Sequence, residues 1–201
     1  MEFMSESRGM LLVLSGPAGV GKDTVWKAAA PCLPSFAKAT TCTTRAQRPG
    51  EVDGVHYFFV SDAEFDAMIE ENKLLEWAWV HGNRYGVPVS SVSTRLERGE
   101  DVICVIDVQG AEKIRQMFNE SLLVFLRPPH GRETEVLKER ILNRGAEDDG
   151  QIAKRLETAS WELTQTSLYD YELVNEEVEE TAQQLCEIVE REKARRAEDG
   201  R

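Results

Sequence analysis

The sequence predicts an α/β fold, a parallel sheet flanked by helices with an inserted α+β lobe, and three features predict it. The first is a short apolar run, GMLLVLSG at residues 9–16, stopped by Gly16-Pro17 and followed by a helical stretch, KDTVWKAAA at 22–30, that ends near Pro31. Apolar runs this short, bounded by glycine, behave as buried parallel strands. The second is repetition: DVICVID (101–107) and SLLVFLRPP (121–129) read as further buried strands, with GAEKIRQMF (110–118) as a helix between them. Strands alternating with helices give a parallel sheet. The third is an interruption at 40–88, where Gly50, Gly54, Gly82 and Gly86 mark turns between aromatic strand candidates, VHYFFV and LLEWAWV. Within it, Ser61 stands as N-cap of the helix DAEFDAMIEE.

The remaining elements follow the same logic. Residues 133–165 hold two charged helical stretches around the polar loop RGAEDDG, the pattern of a mobile flap that carries arginines. The last helix, EEVEETAQQLCEIVERE, sets Val178, Ala182, Leu185 and Val189 on one face. The charged tail after Lys193 is expected to fray. One domain of 201 residues is expected, with a core at about 9–39, 89–130 and 166–193, a lobe at about 40–88 and a lid at about 131–165.

Composition excludes several classes. At 41% hydrophobic residues the chain can bury a sizeable core, and a net charge of −12 argues against a nucleic-acid binder, which needs an excess of Lys and Arg. Any anion site must be local. The cysteines, Cys32, Cys42, Cys104 and Cys186, form no CxxC pair and have no histidine at ligand spacing, so they read as reduced thiols in a cytoplasm. No apolar run reaches the length of a membrane span, and the N-terminus lacks the basic and apolar regions of a signal peptide.

Five groups of residues carry chemistry. In GPAGVGKDT (16–24), Gly16, Pro17, Ala18, Gly19, Val20 and Gly21 form a glycine loop between strand and helix, whose backbone N–H groups can converge on phosphate while Lys22 reaches the β and γ positions. Asp23 stands where such loops usually carry a hydroxyl, and Thr24 follows one residue late. A carboxylate beside a triphosphate calls for a cation between them. Asp23 is therefore expected to meet Mg²⁺ through water while Thr24 bonds a phosphate, against the alternative that Asp23 only favours the helix N-terminus.

In TTCTTRAQRPGEVDGVHYFF, Arg45, Arg48 and Tyr57 suit a second phosphate, because guanidinium forks match its oxygens, although surface arginines are the commoner meaning. In LLEWAWVHGNRYG, Glu76 can take both the ring N–H and the amino group of a guanine, or it can simply face solvent from an alternating strand. Asp107 can hold a metal water or a substrate edge, or cap the helix that follows. Arg140 and Arg144 share a helical face, with Arg155 beyond the acidic loop, as a charge-neutralising lid or as a solvated surface.

Taken together, GPAGVGK, TTRAQRPGEVDGVHYFF, LLEWAWVHGNRYG, VIDVQG, LNRG and YDYELVN resemble the guanylate kinases in identity and order from about residue 9 to 190. The resemblance implies a P-loop nucleoside-monophosphate kinase fold that uses ATP and Mg²⁺ to convert GMP or dGMP to the diphosphate. It implies that Arg45, Arg48, Tyr57 and Tyr85 hold the GMP phosphate, and that Thr41, Glu76 and Asp107 line the guanine pocket. Lys22, Arg140, Arg144 and Arg155 fall around the transferred phosphoryl, and Asn175 falls at adenine. Val87 departs from the family's hydroxyl residue, so one contact to the base is missing. Small-molecule substrates, a cytoplasmic location, room for a homodimer and no nucleic-acid or membrane partner complete the expectation. The alternatives are a ribose 1,5-bisphosphate kinase of similar fold and a non-catalytic interaction module.

Overall fold

The computed structural model describes residues 9–80, 82–142 and 149–199. In chain order the elements are β1 (Leu11–Ser15), α1 (Lys22–Ala29), β2 (Phe36–Lys38), β3 (Cys42–Thr43), β4 (Phe58–Phe59), α2 (Asp62–Glu70), β5 (Leu74–Val80), β6 (Asn83–Pro88) and α3 (Ser90–Glu97). They continue with β7 (Asp101–Val105), α4 (Val108–Met117), β8 (Leu122–Arg127), α5 (Glu133–Leu142), α6 (Asp149–Glu162), β9 (Tyr171–Val174) and α7 (Val178–Asp199). A five-stranded sheet runs in the order β2-β7-β1-β8-β9, and a four-stranded one in the order β4-β3-β6-β5. In the larger sheet β2 pairs with β7, and β8 with β9, in parallel. This is the expected α/β class.

The chain divides into two compact units, 1–12 with 36–121 and 13–35 with 122–201, with the boundary inside β1. In the first unit the Val102 N–H donates to Met10 O at 2.8 Å, which ties β7 to the residue before β1. Its smaller sheet has an apolar core of its own, Cys42, Phe65 and Leu74, with Phe58, Val60, Met68 and Ile69 packed against it. Helix α2 starts as expected: the Ser61 hydroxyl accepts from the Glu64 N–H at 3.2 Å, while the Glu64 carboxylate accepts from the Ser61 N–H at 2.7 Å. Such a box satisfies two amides that the helix itself cannot.

Gly86 lies inside β6 rather than at a turn. A Cβ there would come within 3.1 Å of both Glu76 O and Leu74 Cδ1 and 3.2 Å of Phe65 Cζ, so this glycine serves close packing. The aromatic strand VHYFFV shortens to β4, with Tyr57 joined to Asp53 by an isolated bridge.

In the second unit α1 packs on α7, and β8 pairs with β9. Ala182, Leu185 and Val189 are buried as their spacing predicts, and Val178 is half-buried. The described part of the tail is helical where fraying was expected: α7 continues to Asp199, and beyond Lys193 the Arg195 guanidinium holds the buried Glu192 carboxylate at 2.8 Å. Glu192 also accepts from the Tyr171 hydroxyl at 2.7 Å, and Arg195, then Tyr171, hold its carboxyl below the usual range.

The reading of four reduced thiols is corrected as well. Cys32 and Cys186 form a disulfide across the α1 and α7 pair, with Cα atoms 6.4 Å apart, within the span such a bond needs. A separation of 154 residues hides the pairing from sequence spacing, since only helix packing creates it. Cys42 and Cys104 are free and buried, and burial pushes the Cys42 thiol up to about 11 and the Cys104 thiol higher still. Neither is a nucleophile at neutral pH.

Candidate functional site

The candidate phosphate loop belongs to the second unit. It leaves β1 at Gly16, whose φ of 143° suits glycine and where a Cβ would lie 2.1 Å from Leu126 O. No other residue fits there. Gly21, at φ 102° and ψ 19°, is the N-cap of α1, and its carbonyl accepts the Val25 N–H at 2.9 Å. The Val20 N–H closes a turn onto Pro17 O at 3.2 Å. Lys22 folds back over this loop, with Nζ donating to Gly16 O at 2.5 Å and Pro17 O at 3.1 Å. Asp23 and Thr24 lie exposed in the first turn of α1, where the helix dipole favours negative charge. Asn175 is 1% exposed, and its Nδ2 donates to Val20 O at 2.7 Å, so it braces the loop from beneath.

The first unit carries the other candidates in two clusters. Around Arg45, the Nη2 of its guanidinium donates to Glu51 Oε1 and its Nη1 to Ala46 O, each at 2.7 Å. The guanidinium carbon also lies 5.5 Å from the centre of the Tyr57 ring. Tyr57 and Tyr85 meet edge to face at 6.0 Å. The hydrogen bond to Glu51 raises the Arg45 pKa, helped by Tyr85. Glu51 in turn is lowered by Arg45 first and by the Arg48 amide, which donates to its Oε2 at 2.8 Å. The Arg48 residue is otherwise exposed, Thr41 accepts the Phe58 N–H at 2.9 Å, and Val87 is buried in β6.

The second cluster sits at the start of α4. Asp107 is the N-cap, its Oδ1 accepting from the Gly110 N–H at 2.8 Å, as the capping alternative expected. Its backbone N–H donates to Glu76 Oε2 at 2.8 Å. Glu76 therefore does not simply face solvent from β5. It is held at the positive end of α4, above Gly110, where a Cβ would stand 2.9 Å from the same oxygen. Lys113, one turn into α4, donates to Leu74 O at 2.6 Å and ties the helix to β5.

A family model described as guanylate kinase matches residues 8–192. The chain belongs to the guanylate kinase family. A guanylate kinase of Halalkalibacterium halodurans is 45% identical over 193 residues, 96% of this chain and 93% of that relative. One of Streptomyces coelicolor is 47% identical over 183 residues, 91% of each chain. Among solved structures, guanylate kinase from Anaplasma phagocytophilum superposes with a TM-score of 0.64 at 34% identity, covering 92% of this chain and 87% of that one.

Within the guanylate kinase frame, three expected lid residues receive no geometry: Arg144 and the side chains of Arg140 and Arg155 lie outside the described residues. The structure also brings in residues that the sequence reading passed over. Glu51 follows the Pro49-Gly50 pair just after Arg48, so its position in RPGE was the available signal. Arg84 is 6% exposed, stacks 4.8 Å from the centre of the Phe65 ring and bonds both Asp62 and Asp66 of α2. Tyr85 follows it on the opposite face of β6, so Arg84 anchors the strand that presents Tyr85. A lone arginine in a strand gave no such signal.

Proposed function

We infer that the chain transfers the terminal phosphoryl group of ATP to GMP or dGMP, giving ADP and GDP or dGDP. The observation that carries this reading is the Glu76 carboxylate, fixed by the Asp107 amide at the start of α4 in a guanylate kinase chain. Guanine offers a ring N–H and an amino group side by side, a donor pair that an acceptor-only carboxylate can take and that adenine lacks. In this reading Thr41 and Asp107 complete the guanine pocket, and the buried Val87 supplies no hydroxyl to it. Arg45, Arg48, Tyr57 and Tyr85 hold the GMP phosphate.

Lys22 exchanges the carbonyls of Gly16 and Pro17 for the donor's β and γ phosphates, while the loop amides and Thr24 hold the remaining oxygens. Arg140, Arg144 and Arg155 neutralise charge on the phosphoryl in flight. The acceptor phosphate is already a nucleophile, so no side chain has to remove a proton, and positioning and charge carry the rate. Mg²⁺ fits the donor set: the exposed Asp23 carboxylate beside the loop would hold the ion through water, and the ion would neutralise triphosphate charge when bound. The chain works on small molecules in the cytoplasm, and a homodimer is compatible with it. No helix among the described residues is long and apolar enough to cross a membrane.

An assay of ADP release across GMP, dGMP, AMP, UMP and ribose 1,5-bisphosphate tests the assignment. Turnover is expected with GMP and dGMP alone. Turnover with ribose 1,5-bisphosphate, or with none of the five, would replace it.

A further inference from the structure

Asn175 follows β9, and its main chain is fixed there by its N–H, which donates to Arg127 O at 2.8 Å at the end of β8. From this point its Nδ2 reaches the carbonyl of Val20, at 2.7 Å, with the whole side chain buried. Asn175 Oδ1 is buried too and has no hydrogen-bond partner among the described residues. A peptide group is planar and trans, so its carbonyl and its N–H point in opposite directions. Pinning Val20 O toward Asn175 therefore turns the Gly21 N–H the other way. Gly21 is the residue where the loop passes into α1, in a left-handed conformation that lets the peptide on either side of it swing at little cost. Something outside the loop has to choose the orientation of that peptide, and the Asn175 amide is placed to do so.

We propose that Asn175 is a positioning residue for donor phosphate binding: by holding the Val20 carbonyl it sets the plane of the Val20–Gly21 peptide and aims the Gly21 N–H at the phosphates of ATP. The proposal rests on the reading of the loop as the donor site, but it gives Asn175 a task independent of the nucleotide base. The contact with adenine that the family resemblance implies makes the opposite demand, since it acts only on nucleotides that carry that base. A ligand with phosphates and no base separates the two.

The experiment measures direct binding of ATP and of inorganic tripolyphosphate, each with Mg²⁺, to wild type, Asn175→Asp and Asn175→Ala. Two variants are used because the aspartate keeps the side-chain shape if the alanine does not fold. GMP KM, which reports on the first unit, serves as the control for overall integrity. Both ligands are expected to weaken by the same factor, about tenfold or about 1.4 kcal/mol, with GMP KM unchanged. Weakened ATP with unchanged tripolyphosphate overturns the proposal and makes Asn175 a reader of the base. Unchanged binding of both ligands overturns it as well. Failure of tripolyphosphate to compete with ATP on the wild type strikes the loop reading itself, separately from Asn175.

Discussion

The proposed acceptor pocket of the first unit and the proposed phosphate loop of the second are held by opposite means. In the pocket, side chains hold side chains or borrow an amide: Arg45 on Glu51, Glu76 on the Asp107 N–H, Arg84 on Asp62 and Asp66. In the loop the backbone does the holding, through glycines at φ 143° and 102°, a turn from Val20 to Pro17, and one buried amide beneath. The difference matters for how each part fails. A side-chain site loses selectivity when one charge changes, whereas a backbone site loses phosphate affinity whatever the base.

The largest effect that separates the two is expected at Lys22. Lys22→Met removes the loop cation that the proposed function sets against the donor phosphates and should lower kcat by about 10²–10³-fold, in line with the loss of one preorganised electrostatic contact. GMP KM should hardly move. A GMP KM that rises in parallel would mean that the pocket and the loop are not separable.

Next comes stability. The Cys32 and Cys186 disulfide joins the short turn that follows α1 to α7, and breaking it by Cys32→Ser should cost about 2–4 kcal/mol of unfolding free energy. The exposed Cys32 leaves the bond open to reductants, so dithiothreitol should have the same effect on wild type and none on the variant. Equal unfolding midpoints of wild type with and without reductant would show that the bond adds nothing to stability.

A smaller effect belongs to Asp23. Asp23→Asn should raise the Mg²⁺ concentration needed for half-maximal rate several-fold, about 1 kcal/mol for one charge-assisted contact. Thr24→Val should weaken ATP without changing that requirement. An unchanged Mg²⁺ requirement in Asp23→Asn would confine the carboxylate to its place in the first turn of α1.

The smallest effect is the pH response of the lobe. Arg45 and the Arg48 amide lower the Glu51 pKa, so this carboxylate stabilises the folded lobe above the ordinary glutamate range. That contribution fades as pH falls through the lowered value. Glu51→Gln should flatten the acid limb of an unfolding curve. An identical limb in the variant would remove Glu51 from the account.

The same contrast explains what could be read in advance. The loop was legible because backbone demands leave glycines at fixed spacing, and α2 was legible because its capping box is local. The pocket was half legible: charged and aromatic side chains announced themselves, but their partners did not. Glu76 and Asp107 are 31 residues apart, and Lys113 lies 39 from Leu74, so only packing of α4 on β5 brings them together. Gly86 read as a turn because glycine in isolation usually marks one, while here it makes room for Phe65. Asn175 was placed near the donor by resemblance, yet its bond to Val20, 155 residues away, follows from the parallel pairing of β8 and β9.

The claim on which the account turns is that Glu76 reads guanine. The measurement that tests it most directly is the ratio of kcat/KM for GMP to that for AMP, in wild type and in Glu76→Gln. A site built to hydrogen-bond a group rejects analogues that lack it by factors of about 10⁴–10⁵. Wild type should therefore favour GMP overwhelmingly, and Glu76→Gln should lower that ratio by at least about 100-fold, with ATP KM unchanged. A ratio that survives the substitution, or a wild type that phosphorylates AMP as well as GMP, would contradict the account.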